Sequence, residues 1–315
     1  MGPSPDARRA VLLGAGLGLG LAGLEVASSW GWWGGLAAIA AGLVPVAVAV
    51  ALGGHVAAAV AGGVAMLAVA ALRGGPAFLV VGLKYVLPGA ALGLGLVWRL
   101  PVAITTLVTA LVSLAGVVVL LWLLSPAGMG PLAYLERQVA AQATELEQWP
   151  ARLGAAGQDA GWATEAARFV VATLRIAAPG MLGLGVFAGA VANYAVARLC
   201  LRRRLGFRPF AQEAVPDHLV WGAIGAGVLL ASRQESLEAA GLNLLLVLMP
   251  LYVIQGLAVF RHFFQRIGLP RLLQVVSFGL LAMQPLLLVA VSCVGLSDLW
   301  IDFRKIRQAP TAASG

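Results

Sequence analysis

Nine stretches of mostly apolar residues alternate along the chain with short polar or turn-forming segments. About 20 apolar residues in a helix span the hydrocarbon core of a bilayer, so each stretch is predicted to be a membrane span. The predicted spans are residues 11–28, 35–52, 55–72, 77–97, 102–124, 176–196, 219–232, 239–260 and 272–296. The pattern predicts an all-α, polytopic transmembrane helix bundle with about nine spans, the second and third being separated by a turn at Gly53 and Gly54.

Composition supports this fold class and excludes others. Of the 315 residues, 61% are hydrophobic and 11% are charged, whereas a soluble domain is about half apolar and about a quarter charged. A soluble enzyme, a coiled coil and a disordered regulator are therefore excluded. The net charge of +8 comes from basic clusters between the spans, which is typical of loops in membrane proteins and predicts no nucleic-acid partner.

The basic residues also predict an orientation. Crossing at every span places eleven Lys or Arg residues in short loops on the side of the N-terminus, against Arg73 and Arg233 in short turns on the other. Cytoplasmic loops are rich in Lys and Arg, so the sequence predicts a multi-pass protein of a bacterial inner membrane with a cytoplasmic N-terminus. Nine spans place Arg304 outside, against this rule. If the fourth or the last span only re-enters the membrane, eight spans remain and the tail is cytoplasmic; the segment lengths favour nine.

The chain divides into a five-span bundle at 1–124, an extracytoplasmic loop at 125–175, and C-terminal spans with an interfacial tail at 176–315. In the loop, apolar residues recur at helical spacing and stop near Trp149 and Pro150. These residues are Leu132, Leu135, Val139, Ala143 and Leu146. They predict an amphipathic helix that lies on the membrane or packs on the bundle, with docking of a partner as the alternative.

The first span carries small residues at regular spacing. Its glycines at 18, 20 and 23 match the dinucleotide-binding fingerprint, but that motif needs a preceding strand and open space for phosphates, and here it lies inside a span. Gly14, Gly18 and Ala22 instead repeat at every fourth residue, as Gly16 and Gly20 also do, which favours close helix packing. We expect the Gly14 face to pack within the protein or against a membrane-protein partner.

The sequence predicts neither an enzyme nor a cofactor. It contains no zinc-protease, serine-elbow or phosphate-loop motif. Its three histidines, His55, His218 and His262, are far apart and close to predicted span ends, so no metal site is predicted.

Glu25 and Lys84 are charged residues inside predicted spans, where a charge costs at least about 2.5 kcal/mol and marks a candidate functional site. Both fall in the outer half of the predicted bundle. They are predicted to pair or to line an externally open cavity. In the alternative, Glu25 reaches the lipid headgroups and Lys84 extends its ammonium to the interface.

Several amides complete the set of candidate cavity residues. Asn193 lies in the sixth span, and Asn243 and Gln255 lie in the eighth. Amides in spans usually form hydrogen bonds between helices, with contact to a small-molecule ligand as the alternative. Prolines in five spans predict helix breaks, which often accompany a cavity.

The C-terminal third carries a resemblance. The segment Asn243 to Phe260, with Tyr252 and Gln255-Gly256, and the ending Gly295-Leu-Ser-Asp298-Leu-Trp-Ile-Asp302-Phe303-Arg304-Lys305 resemble the YybS-like family of uncharacterised bacterial multi-pass proteins. This resemblance implies a membrane protein without an assigned activity. By spacing alone, Asp298, Asp302 and Lys305 predict a short interfacial helix with Leu299, Trp300 and Phe303 towards the membrane, which anchors the tail or docks a partner.

The first six spans are also similar in number and orientation to the substrate-binding components of energy-coupling-factor transporters and to the rod-shape protein MreD. In those transporters a small-residue face of the first helix contacts the energising partner. The resemblance implies a transporter-like protein that binds a small molecule in an outward-open cavity. The alternative is a structural component of envelope or cell-shape assembly that acts through helix contacts.

Overall fold

The computed structural model describes residues 4–29, 32–155 and 161–305, and they form a membrane-type bundle of α-helices. The all-α prediction is confirmed. Within these residues the helices are α1 (Pro5–Ala27), α2 (Trp32–Ala41), α3 (Val44–Arg73), α4 (Pro76–Val81), α5 (Leu87–Val97), α6 (Val102–Leu124), α7 (Pro131–Ala155), α8 (Gly161–Leu201), α9 (Val220–Leu230), α10 (Glu235–Arg266), α11 (Arg271–Met283) and α12 (Pro285–Ile301). A π-helix, Gly82–Val86, joins α4 to α5, and 3-10 turns, Phe210–Gln212 and Asp217–Leu219, precede α9.

Six helices of the described chain are long and apolar enough to span a membrane, or seven if the bent pair α11 and α12 forms one span. Besides the bend between α11 and α12, two features account for the difference from nine predicted spans. The stretch Trp33–Arg73 counts as one helix although Gly54 interrupts it, and Asp217–Leu230 is short. Gly54 has φ 65° and ψ −158°, a conformation that glycine adopts without a steric penalty.

Contacts around Gly54 show that α3 reverses there, as the predicted turn requires. The second part of α3 runs parallel to α1, since Gly14 faces Ala57 and Gly18 faces Ala61. The first part of α3 runs parallel to α5, because Gly89 lies against Val46 and Gly93 lies against Val50. In contrast, the π-helix that leads into α5 is antiparallel to the second part of α3, with Gly62 against Val86 and Gly82 against Met66. The two parts of α3 therefore run in opposite directions.

The Gly14 face of α1 packs within the protein. A Cβ atom at Gly14 or Gly18 would lie 2.5 Å from a backbone oxygen of α3, and Ala22 is also buried. A Cβ atom at Gly16 or Gly20 would meet no heavy atom within 4 Å, so the second small-residue face is open. Of the two alternatives expected for the Gly14 face, packing within the protein is the one observed, and α3 is the helix that it contacts.

The 125–175 loop forms a helical hairpin. Helix α7 continues past Pro150 to Ala155, further than the stripe predicted, and α8 begins at Gly161, well before the predicted sixth span. Ala143 is buried between the two helices, and Trp149 packs edge-on against Trp162 with ring centroids 5.5 Å apart. The amphipathic α7 thus packs on the N-terminal extension of α8. We call the α7 side of the bundle the hairpin end, and the opposite side, with Val97–Val102, the loop end.

The last two helices return to the loop end. Helix α11 begins beyond the C-terminus of α10 and meets α12 at a bend of 108°. Arg304, after α12, contacts Ala211 and Glu213, and Glu213 in turn binds the first residue of α6 at the loop end. The tail therefore lies at the same end as Arg99, as in the eight-span alternative. The separate interfacial helix predicted from Asp298 is wrong, because α12 continues to Ile301 with Asp298 buried.

Candidate functional site

A cavity of about 590 Å³ lies between α2, the π-helix, α6 and α8. Its volume is within the range of small-molecule sites, about 300 to 1,000 Å³. Most of the wall is apolar. The polar side chains of the wall are Ser28, Lys84, Tyr85, Ser113 and Asn193.

Glu25 lies directly behind this wall and binds two of its residues. Its side chain is only 7% exposed, and its Oε2 accepts hydrogen bonds from the Tyr85 hydroxyl at 2.6 Å and from Lys84 Nζ at 3.3 Å. Arg73 Nη1 binds the other oxygen, Oε1, at 3.2 Å. A charge buried in a membrane protein needs such partners, because an unpaired carboxylate in a low dielectric is strongly disfavoured.

Arg73 holds the end of α1 as well as the carboxylate. Its Nη2 donates to the backbone oxygen of Glu25 at 3.2 Å, to that of Val26 at 3.4 Å and to Ser29 Oγ at 2.9 Å. The last carbonyls of a helix have no partner within the helix, and a cation there also opposes the helix dipole. Arg73 therefore fixes the C-terminus of α1 to the C-terminus of α3.

The π-helix positions the two residues that reach Glu25 from the cavity. One extra residue per turn in Gly82–Val86 widens the helix, a feature that is often found at functional sites. Lys84 Nζ lies 4.7 Å from the centre of the Tyr85 ring, so the ammonium rests on the aromatic face while it binds Glu25. Adjacent residues of an ordinary helix diverge by about 100°, and here both contact one carboxylate.

Asn193 joins α8 to the break between α2 and α3. Its Oδ1 accepts a hydrogen bond from Leu43 N at 2.8 Å, and its Nδ2 donates to Ile39 O at 2.6 Å and to Gly189 O at 2.8 Å. In an uninterrupted helix, Leu43 N–H would bind Ile39 O directly. The carboxamide is therefore inserted where that backbone bond is missing, next to Pro45 in the first turn of α3.

Asn243 in α10 makes the same arrangement of hydrogen bonds with α8. Its Oδ1 accepts from Gly180 N at 2.6 Å, and its Nδ2 donates to Ile176 O at 2.9 Å and to Ala239 O at 2.7 Å. Gly180 and Ile176 are again four residues apart, beside Pro179 inside α8. Both asparagines thus form hydrogen bonds with backbone groups beside a proline in a neighbouring helix.

Gln255 belongs to a buried polar cluster at the loop end. It accepts a hydrogen bond from Val215 N at 3.1 Å and donates to Asp298 Oδ2 at 3.1 Å. Arg304 binds the same Oδ2 through Nη2 at 2.7 Å and Nε at 3.2 Å, and both side chains of this ion pair are at most 4% exposed. Among the described residues, Asp298 Oδ1 and the Tyr252 hydroxyl are buried without a hydrogen-bond partner.

Arg304 and Glu213 connect this cluster to the loop before α9. Arg304 Nη1 donates to Ala211 O at 2.9 Å and to Glu213 O at 2.6 Å, while Glu213 Oε2 accepts from Val102 N at 3.0 Å. Burial raises the pKa of the Glu213 carboxyl above its usual value, although the bond from Val102 and the nearby arginines act in the opposite direction. The cluster ties α6, the loop, α10 and the tail together.

The structure therefore distributes the five predicted cavity residues over three places. Lys84 and Asn193 line the cavity, and Glu25 lies behind it in contact with Lys84. Asn243 joins α8 and α10 outside the cavity, and Gln255 lies in the buried cluster with Asp298. In the C-terminal motif, Arg304 is buried with Asp298, whereas Asp302 and Phe303 are partly exposed. Within the described chain, no group of three or more His, Cys, Asp or Glu side chains could hold a metal ion.

Sequence reasoning missed Arg73, Tyr85 and Glu213. A basic residue at the end of a span is usually explained as a topology signal. The sequence therefore gives no separate indication that Arg73 contacts Glu25. Tyr85 follows Lys84 directly, and both contact Glu25 from the π-helix. Glu213 lies among basic loop residues, and nothing in the sequence distinguishes it from a solvated counter-charge.

The fold and its polar clusters define a multi-pass membrane protein with a cavity in its helix bundle. A family model described as "Predicted membrane protein (DUF2232)" matches residues 35–299, and the chain belongs to this family. The match covers most of the cavity wall and most of both polar clusters, but Glu25, Ser28 and Arg304 lie outside it. In comparisons with curated proteins and with solved structures, nothing matches. The family description names a membrane location and no activity.

Proposed function

We propose that this protein is a transporter-like membrane component that binds a small molecule in the cavity between α2, α6 and α8, without an enzymatic or nucleotide site of its own. One observation carries the proposal: Lys84, a charged residue inside the span Pro76–Val97, lies on the wall of a cavity of ligand size. Charged residues at membrane depth are rare, and they usually mark a ligand or ion pathway. The resemblance to the YybS-like family is consistent with this function and adds no substrate.

The proposed orientation has the loop end in the cytoplasm. The loop end carries Arg8, Arg99, the run Arg202 to Arg204, Arg271 and Arg304, which is the distribution expected of a cytoplasmic face. The Glu25 cluster, which consists of Glu25, Arg73, Lys84 and Tyr85, lies near the hairpin end. In this orientation the hairpin end faces the outside of a bacterial inner membrane. Since α3 covers the Gly14 face of α1, an energising membrane partner would contact another surface of the protein.

A substitution that fills the cavity tests this function. Gly185 lines the cavity, and a Cβ atom there meets no atom within 4 Å, so Gly185→Phe fills the space. Gly227 in α9 is equally open but outside the cavity, which makes Gly227→Phe a matched control. Native mass spectrometry of purified protein should find a retained small molecule on wild type and Gly227→Phe, and not on Gly185→Phe. Equal retention by the two variants, or no retained molecule on wild type, would refute this function.

The extramembrane hairpin supports a structural role in the cell envelope as a second candidate. Helix α7 and the first part of α8 extend the protein beyond the bundle, and Phe169 is 74% exposed there. A cell-shape defect caused by Phe169→Ser, but not by Gly185→Phe, would support this role over ligand binding. The reverse result would exclude it.

A further inference from the structure

The Glu25 cluster carries more positive than negative charge. Within the described residues, its ionic members are one carboxylate, Glu25, and two cations, Arg73 and Lys84. The third polar member, Tyr85, donates its hydroxyl proton to the same carboxylate and is neutral. One positive charge is therefore uncompensated beside the cavity wall.

The two cations differ in how much hydrogen-bonding capacity they have left. Arg73 uses Nη1 for the carboxylate and Nη2 for two backbone oxygens and Ser29, and it does not line the cavity. Lys84 has three ammonium donors, and one of them binds Glu25 Oε2. Its side chain is 44% exposed and forms part of the cavity wall. The uncompensated charge is thus available to a ligand through Lys84.

The rest of the wall offers little to a second polar group. The Asn193 carboxamide is engaged with three backbone groups. The Ser28 and Ser113 hydroxyls each donate to a backbone oxygen of their own helix. Apolar side chains from α2, α6 and α8 cover most of the remaining surface, among them Ile39, Val117, Leu182 and Val186. Such a wall fits hydrocarbon better than a sugar or a zwitterion.

We propose that the cavity binds an amphiphile with a single anionic group, a carboxylate or a phosphate ester, on an apolar body, and that Lys84 binds the anionic group. This inference rests on the proposed function, because it names the class of molecule that the cavity holds. The anionic group compensates the charge of the Glu25 cluster, and the apolar body replaces water along the wall. The same chemistry is supplied by a bilayer phospholipid and by a free fatty-acid-like molecule.

The test uses the whole protein in nanodiscs of phosphatidylcholine, with three probes of equal chain length: decanoate, decanol and decylammonium. Decanoate should raise the thermal unfolding temperature of wild type, and the other two should not. Lys84→Met should weaken decanoate binding about tenfold or more, as expected from the loss of a charge-assisted hydrogen bond, while Lys84→Arg retains the preference. Lys305→Met removes an exposed lysine beyond α12 and serves as the control.

The outcomes separate the ligand class from the function. If decanol or decylammonium binds as tightly as decanoate does, and Gly185→Phe abolishes this binding, the anionic class is overturned and the binding function stands. No probe binding to wild type, together with no retained molecule in the mass spectrum, would overturn both. If phosphatidylglycerol nanodiscs stabilise wild type and decanoate adds nothing further, the anionic amphiphile is a lipid, and the class stands. Unchanged decanoate binding by Lys84→Met would remove Lys84 from the site.

Discussion

Asn193 accepts a hydrogen bond from the backbone N–H of Leu43 across 2.8 Å, although the two residues are 150 positions apart in the chain. Through its Nδ2 it also binds Ile39 O, so one side chain pairs with two of the backbone groups that the break between α2 and α3 frees. Lipid tails offer no hydrogen-bonding groups to replace these bonds. The cavity wall formed by α2 and α8 therefore depends on this carboxamide.

Replacing Asn193 by Leu should lower the free energy of unfolding by about 1 to 3 kcal/mol, because a buried donor and acceptor lose their partner while the volume is nearly kept. Denaturant unfolding of the purified protein in micelles measures the change. Thr173→Val in the same helix is the matched control, since the Thr173 hydroxyl binds only Phe169 O of its own helix. A loss no larger than that of Thr173→Val would contradict the proposed repair of the break.

The two glycine faces of α1 should respond differently to alanine. A Cβ atom at Gly18 would lie 2.5 Å from Ala61 O, so Gly18→Ala should destabilise the protein by about 1 to 3 kcal/mol through overpacking. A Cβ atom at Gly20 meets nothing within 4 Å, and Gly20→Ala should be neutral or stabilising, because alanine favours helix over glycine. Thermal unfolding in detergent compares them. Equal unfolding temperatures would show that α1 does not pack on α3 through this face.

Much of the fold follows from local sequence signals. Apolar length predicts the helices, and paired glycines at 53 and 54 predict the turn that reverses α3. The four-residue spacing of Gly14 and Gly18 predicts a packing face, because only glycine lets two helix backbones approach so closely. The depth of Glu25 and Lys84 singles them out, since few charged residues lie inside spans, and the structure brings them to 3.3 Å.

The remaining contacts depend on tertiary packing that spacing does not encode. An amide inside a span predicts some interhelical hydrogen bond, but the break that it meets depends on which helices pack side by side. Asn193 and Asn243 are alike in sequence, and only Asn193 lines the cavity. At the C-terminus, the helical spacing of Asp298 and Asp302 predicts a short interfacial helix. The partner that buries Asp298 is Arg304, which reaches it from beyond the end of α12.

The ion pair of Arg304 and Asp298 should show strong coupling. Arg304→Met leaves a buried carboxylate without its cation and should cost about 3 to 5 kcal/mol of unfolding free energy. Asp298→Asn in the Arg304→Met background should recover part of this loss, because the amide carries no charge and still accepts from Gln255. A double-mutant cycle in micelles measures the coupling, with the exposed neighbour Lys305→Met as control. Additive losses would show that the pair contributes no net interaction.

Glu213 should make stability depend on pH. Its folded-state pKa is raised above the ordinary value of 4.5, chiefly by burial, so between these two values the folded state binds more protons than the unfolded state. Stability from this group is then fully present below the unfolded pKa and falls as pH rises through the folded one. The unfolding free energy of wild type minus that of Glu213→Gln should decline as the pH rises above the ordinary carboxyl value of 4.5. Other carboxylates contribute to both proteins and cancel in the difference, and the glutamine still accepts the bond from Val102.

A difference that is constant with pH, or that increases, would show that Arg198, Arg208 and Arg304 outweigh burial and keep Glu213 ionised.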